Sequence, residues 1–97
     1  MSIMIKRYEF VFVLPGKLEK ETLDEEKKKL RDLLTAHKAA VKEEVDWGKK
    51  QLAYSIKHEQ TGYYSIWTVE TATSALREII RIMNFQDSVL RYALLQI

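Results

Sequence analysis

The first sustained apolar run, Tyr8 to Leu14 (YEFVFVL), is aromatic and β-branched and reads as a strand that Pro15-Gly16 stops. From about Leu18 to Lys38 the composition turns to Glu, Lys and Leu. Leu23, Leu30, Leu34 and His37 fall at helical spacings and make a narrow apolar stripe. The remainder of that helix is charged in both signs, and DEEKKK at 24–29 reads as a solvated face with acidic-to-basic pairs. Residues 40–57 read as one long strand or two collinear ones. Val41, Val45 and Trp47 share one parity there, and Leu52, Tyr54 and Ile56 share the other. A period-2 pattern changes face only through an inserted residue, so a bulge or bend is expected near Gly48. His58 to Gly62 reads as a loop and Tyr63 to Glu70 as a strand. Leu76, Ile79, Ile80 and Met83 give the i, i+3, i+4, i+7 stripe of a second helix, with Thr73 or Ser74 to cap its start. Asp87 to Ile97 reads as a closing strand.

The order is βαββαβ in a single domain, residues 1–97. Two right-handed β-α-β units place both helices on one face of a four-stranded antiparallel sheet, the α+β, ferredoxin-like arrangement. Strand parity then divides the side chains. Tyr8, Phe10, Phe12 and Leu14, with Tyr63, Ser65, Trp67 and Val69, and Leu90, Tyr92 and Leu94, are the sets richer in large apolar groups, and they are assigned to the helix side. Trp47 is grouped with this core. On the opposite face Val11, Val13, Tyr64, Ile66, Ala93 and Leu95 form an apolar patch fringed by Glu9, Glu70 and Arg91. The pattern leaves open whether the patch is a partner surface or the ordinary mixed face of a small sheet.

Composition narrows the chemistry. With 46% apolar and 31% charged residues the 97-residue chain can build one core and stay soluble. The absence of cysteine excludes disulfides, thiolate metal sites and cysteine nucleophiles, and fits a reducing cytoplasm. No apolar run reaches the roughly 20 residues of a membrane helix. MSIMIKRYEF carries its basic pair after its apolar residues, so it does not read as a signal peptide. His37 and His58 are too few and too far apart for a metal cluster. The carboxylates lie on a solvated helix, and no Gly-rich phosphate cradle is present. An enzyme, a cofactor, a metal and a small-molecule substrate are therefore not expected.

The segment WGKKQLAYSIKHEQTGYYSIW, residues 47–67, mixes aromatics with lysines, as an RNA-binding surface does. RNA-recognition domains share the topology and stack bases on central-strand aromatics. Their longer signature begins Lys/Arg-Gly with aromatics two apart, whereas here Thr61 precedes Gly62 and each face offers one tyrosine. A free-standing single-strand reader of that kind is the alternative function. The basic residues Lys6, Arg7, Lys49, Lys50 and Arg91 are stronger candidates, suited to phosphates if the fold gathers them on one rim.

Arg7-Tyr8-Glu9, Gly48-Lys49-Lys50-Gln51-Leu52-Ala53-Tyr54-Ser55-Ile56, Gly62-Tyr63-Tyr64 and Val89-Leu90-Arg91-Tyr92, in that order on a βαββαβ frame, resemble the sixth protein of the bacterial small ribosomal subunit. The resemblance spans about Lys6 to Ile97. It implies an RNA-binding structural component of the subunit's platform, or central domain, that is ribosome-associated in the cytoplasm. Members bind small-subunit ribosomal RNA as a heterodimer with the eighteenth small-subunit protein. On that basis Lys6, Arg7, Lys49, Lys50 and Arg91 become RNA or partner contacts, and the uncovered apolar face becomes the protein interface. The chain departs from the family at Ser55, where proline is usual, and at Gln51, where a further basic residue is common. It also ends at Ile97 without the polar tail that some members carry, which bears on tail-dependent functions.

Overall fold

The computed structural model describes residues 4–97; Met1 to Ile3, at the head of the first apolar stretch, lie outside it. The elements are β1 (Ile5–Pro15), α1 (Lys20–Ala36), β2 (Ala40–Ile56), β3 (Glu59–Ala72), α2 (Thr73–Met83) and β4 (Arg91–Gln96). The strands form one antiparallel sheet in the order β2-β3-β1-β4. This is the expected ferredoxin-like frame. The helix-side core is the expected one as well. Tyr8, Phe10, Phe12 and Leu14 of β1 and Trp67 and Val69 of β3 pack against Leu23, Leu30 and Leu34 of α1 and Ile79 and Met83 of α2. Trp67 lies at its centre, edge-on to Phe12 at 4.7 Å between centroids and to Phe10 at 6.2 Å. Each such ring contributes roughly 1.5–3 kcal/mol by burial alone.

Several boundaries differ from the sequence reading, each for a local reason. β1 stops at Pro15-Gly16 as expected, with Pro15 paired opposite Gly62 as its last residue, but it begins at Ile5, before Tyr8. The expected loop at 58–62 is strand instead. Ile56 pairs with Glu59, so the β2–β3 hairpin turns on Lys57 and His58 alone. Both have positive φ (51° and 66°), the requirement of a tight hairpin turn that Asn-Gly normally meets and that this sequence does not advertise. Neither Thr73 nor Ser74 caps α2. Ala72 holds the cap position without a side-chain bond, and the Thr73 N–H donates to the Met4 carbonyl at 3.1 Å. Residues 87–90 precede β4 as irregular chain.

The bulge near Gly48 is present: Asp46 lies opposite Ser65 and Gly48 opposite Tyr64, so Trp47 is the inserted residue. Gly48 carries φ +82°, a conformation costly for any residue with a Cβ. A second irregularity between Val41 and Glu43 separates two residues expected on one face. Val41 opposes Val69 on the helix side, and Val45 opposes Ile66 on the other. Trp47 is therefore not core; it is 56% exposed. Leu90 also departs from expectation, since Val89 takes the helix-side place while Leu90 joins Val13 and Leu52 in a small cluster on the opposite face.

The first helix ends in a Schellman arrangement. The Ala39 N–H donates to the Leu34 carbonyl and the Lys38 N–H to the Thr35 carbonyl, with Lys38 at φ 64° where glycine is usual. Lys38→Gly and His58→Gly should each raise stability in urea melts, by about 0.5–1 kcal/mol, because both remove a left-handed non-glycine. Gly62→Ala should lower it by about 1–3 kcal/mol, because the added methyl falls well inside contact distance of Val13 Cγ1.

Candidate nucleic-acid and protein interface

The pairing registers set the face opposite the helices in rows. Val45, Ile66, Val11 and Ala93 lie directly opposite one another across β2, β3, β1 and β4, an apolar row the full width of the sheet. The row above it runs Gly48, Tyr64, Val13 and Arg91, and the row below runs Glu43, Thr68, Glu9 and Leu95. All six expected patch residues thus share this face. They are not equally available. Val13 is 3% exposed because Leu52 and Leu90 pack over it, with Tyr64 and Ile56 half-buried at the margin. Val11, Ile66 and Ala93 are half-buried by their neighbours, while Val45 (41%) and Leu95 (55%) stand exposed at the two edges. On the central strands this face offers one aromatic, Tyr64; Tyr63 packs towards the helix-side core.

The five candidate cations do not form one rim. Arg7 and Val13 are six residues apart on β1, about 20 Å at the rise of a strand. Lys6 and Arg7 lie at the Glu70–Thr71 end of the sheet, and Arg91, Lys49 and Lys50 lie at the Val13–Gly62 end. Their electrostatic states differ as well. Arg7 donates to Glu70 directly across the strand pair at 2.8 Å. That hydrogen bond, with the charge of Arg7, holds the Glu70 carboxyl below its ordinary range. Arg91 lies over the Tyr54 ring, 5.3 Å from its centroid, and donates to its hydroxyl. Lys49 and Lys50 are exposed and, among the described residues, form no ion pair. Opposite Tyr63 and Gly62 respectively, they fall on the two faces of the hairpin.

On the helix side β2 is tied to α1 by charge. Arg31 makes a two-pronged contact with Glu44, both bonds 2.6 Å, and Lys27 reaches Asp46 at 2.9 Å. Arg31 also lies 5.3 Å over the Trp67 ring. Burial raises the Asp46 pKa, but the hydrogen bonds from Lys27 and Ser65 outweigh it and hold the carboxyl below the ordinary value. These acids are consumed by structural pairs. Among the described residues no group of His, Cys, Asp or Glu is arranged to hold a metal, and no helix is long and apolar enough to cross a membrane.

Comparison with known proteins adds a family. The family model for ribosomal protein S6 matches residues 7–96. The small ribosomal subunit protein bS6 of Gloeothece citriformis is 35% identical over 92% of this chain, which spans 51% of that protein's length. The bS6 protein of Natranaerobius thermophilus is 32% identical, with 91% of this chain and 92% of the relative covered. The crystal structure of 30S ribosomal protein S6 from Thermotoga maritima superposes with a TM-score of 0.87 at 16% identity, covering 97% of this chain and 89% of the other.

The lowered carboxyls of Asp46 and Glu70 have a consequence in acid. A carboxyl with a depressed folded-state pKa adds stability that is complete above its unfolded value and is lost as pH falls through the folded one. For Asp46 and Glu70 that loss falls below about pH 4, the ordinary carboxylate range. Asp46→Asn and Glu70→Gln should each flatten the fall in stability between pH 5 and pH 2, followed by urea melts, and lower the plateau near neutrality.

Proposed function

The chain belongs to the ribosomal protein S6 family of the bacterial small ribosomal subunit, and on that premise we propose that it binds small-subunit ribosomal RNA in the platform, as a heterodimer with the eighteenth small-subunit protein. It acts in the cytoplasm by holding and ordering RNA, without catalysis. The observation that carries this reading is the division of one surface into two chemistries. An apolar row, Val45-Ile66-Val11-Ala93, crosses the whole sheet with no helix over it. Beyond it on β2 stand Lys50 on the same face and Lys49 on the other, both exposed and without ion pairs among the described residues. An apolar row suits a protein partner, and unpaired lysines suit phosphates.

Lys6 and Arg7, at the far end of β1, serve a second contact. There a phosphate competes with Glu70 for Arg7. Val11, Ile66, Ala93 and Leu95, with Val45 added by the register, carry the partner face. Tyr64 contributes its exposed margin, whereas Val13 supports the face from beneath. Arg91 acts with Tyr54, its charge presented on a stacked platform.

Filter binding to a platform fragment of small-subunit RNA, with and without the partner protein, tests this directly. Affinity should rise when the partner is present; equal affinity in the two conditions would remove the cooperative assembly. Lys49→Ala with Lys50→Ala should reduce the salt slope of binding by about 1.4–1.8, the counterions released from two phosphates. Val45→Glu, an exposed edge position, should leave the unfolding free energy within about 0.5 kcal/mol of the parent while weakening partner association at least tenfold.

A further inference from the structure

We infer that Trp47 is a base-stacking residue, placed to receive an unpaired nucleotide of the RNA whose phosphates Lys49 and Lys50 hold. The inference rests on the RNA-binding reading above. The chain has two tryptophans. Trp67 is wholly buried, whereas Trp47 is 56% exposed in the middle of a strand. Its exposure is built into the backbone. Asp46 pairs with Ser65 and Gly48 with Tyr64, so Trp47 is the residue left without a partner, and Gly48 at φ +82° makes the insertion possible. In an unbroken ladder position 47 would lie opposite Tyr64, on the apolar face. At the bulge the largest side chain on β2 has no residue opposite it in the sheet, and it is left wet.

A wet indole stands to gain most from a flat partner, and its surroundings select the kind. Lys49 and Lys50 follow it within three residues and carry uncompensated charge. Two of the nearby acids are offset, Glu44 by Arg31 and Asp46 by Lys27; Glu43, four residues before Trp47, has no ion pair among the described residues. An exposed aromatic ring followed two and three residues later by free cations is the chemistry of single-stranded nucleic acid, where the ring takes the base and the cations take the backbone. Stacking of this kind tolerates any base, since each has a π face.

The test uses the full chain, the platform RNA fragment and saturating partner protein. Trp47→Ala should weaken RNA binding about tenfold, the scale of one base–aromatic stack, with the salt slope unchanged. Trp47→Phe should restore most of the affinity. In protein labelled with 5-fluorotryptophan, the Trp47 resonance should shift when RNA is added and the Trp67 resonance should stay. Parental RNA affinity of Trp47→Ala overturns the inference. So does a loss that appears equally in partner binding without RNA, since Trp47 would then be a protein contact. If Lys49→Ala with Lys50→Ala loses affinity and Trp47→Ala does not, stacking alone fails. If neither changes affinity or salt slope, the RNA-binding reading fails with it.

Discussion

Two helices can cover one side of a four-stranded sheet, and the surface chemistry of this protein follows from which side they cover. The choice is made by alternation on β1. Tyr8, Phe10, Phe12 and Leu14 give one side four large groups, all buried, and the residues between them are smaller or charged. Trp67 on the neighbouring strand completes an aromatic cluster that only that side can bury. A one-residue slip of β1 would bring Glu9, Val11 and Val13 under the helices and move those rings into water, so register and face are fixed together. Everything left on the second side, the row of Val11 and the polar row of Glu9, is there because the helices are elsewhere.

The β2–β3 hairpin complicates that division. β1 ends opposite Gly62, yet the hairpin continues for several residues to its turn at Lys57 and His58. An isolated two-stranded ribbon is marginally stable in water, so the overhang needs contacts of its own. It finds them on the second face. Leu52 packs with Val13 and Leu90, Tyr54 meets Arg91, and the Lys57 ammonium donates to the carbonyls of Asp87 and Val89. The close approach at Gly62, which has no room for a methyl beside Val13, belongs to the same cluster. The hairpin thus closes the upper part of the open face and leaves the Val45-Ile66-Val11-Ala93 row as the part without cover.

The elements, their order and the identity of the helix-side core were legible because long stretches obey one period each. The misplaced residues cluster where the period is interrupted. Two irregularities on β2 move Val41 and Val45 to opposite faces and extrude Trp47, and only the second of them is announced by a glycine. The turn at Lys57-His58 reads as a longer loop because its positive φ angles fall on residues that do not advertise them. Parity puts Leu90 on the helix side, and it lies on the other because the alternation does not extend into the irregular chain before Arg91. For the site, the six patch residues could be named from parity alone, since all of them lie on the regularly paired parts of β1, β3 and β4. The burial of Val13 could not, because it depends on Leu52 arriving from a distant part of the chain.

A net charge of +2 conceals where the useful charge lies. On the helices cations and acids largely cancel in place: Lys20 with Asp24, Lys28 with Asp32, Arg81 with Glu78, and Arg31 and Lys27 with acids of β2. At the lower end of the sheet Arg7 is held by Glu70, with Lys42 also within 4.0 Å of that carboxylate. A polyanion meeting one of these paired cations must first displace a carboxylate, which costs much of what the new contact contributes. At the hairpin no such exchange is needed for Lys49 and Lys50, and the Arg91 guanidinium is occupied by a neutral ring and hydroxyl that leave its charge intact. Cations that no carboxylate occupies therefore stand on the hairpin, close to the exposed apolar row. That places the electrostatic and the apolar parts of the surface where one assembled partner can engage both.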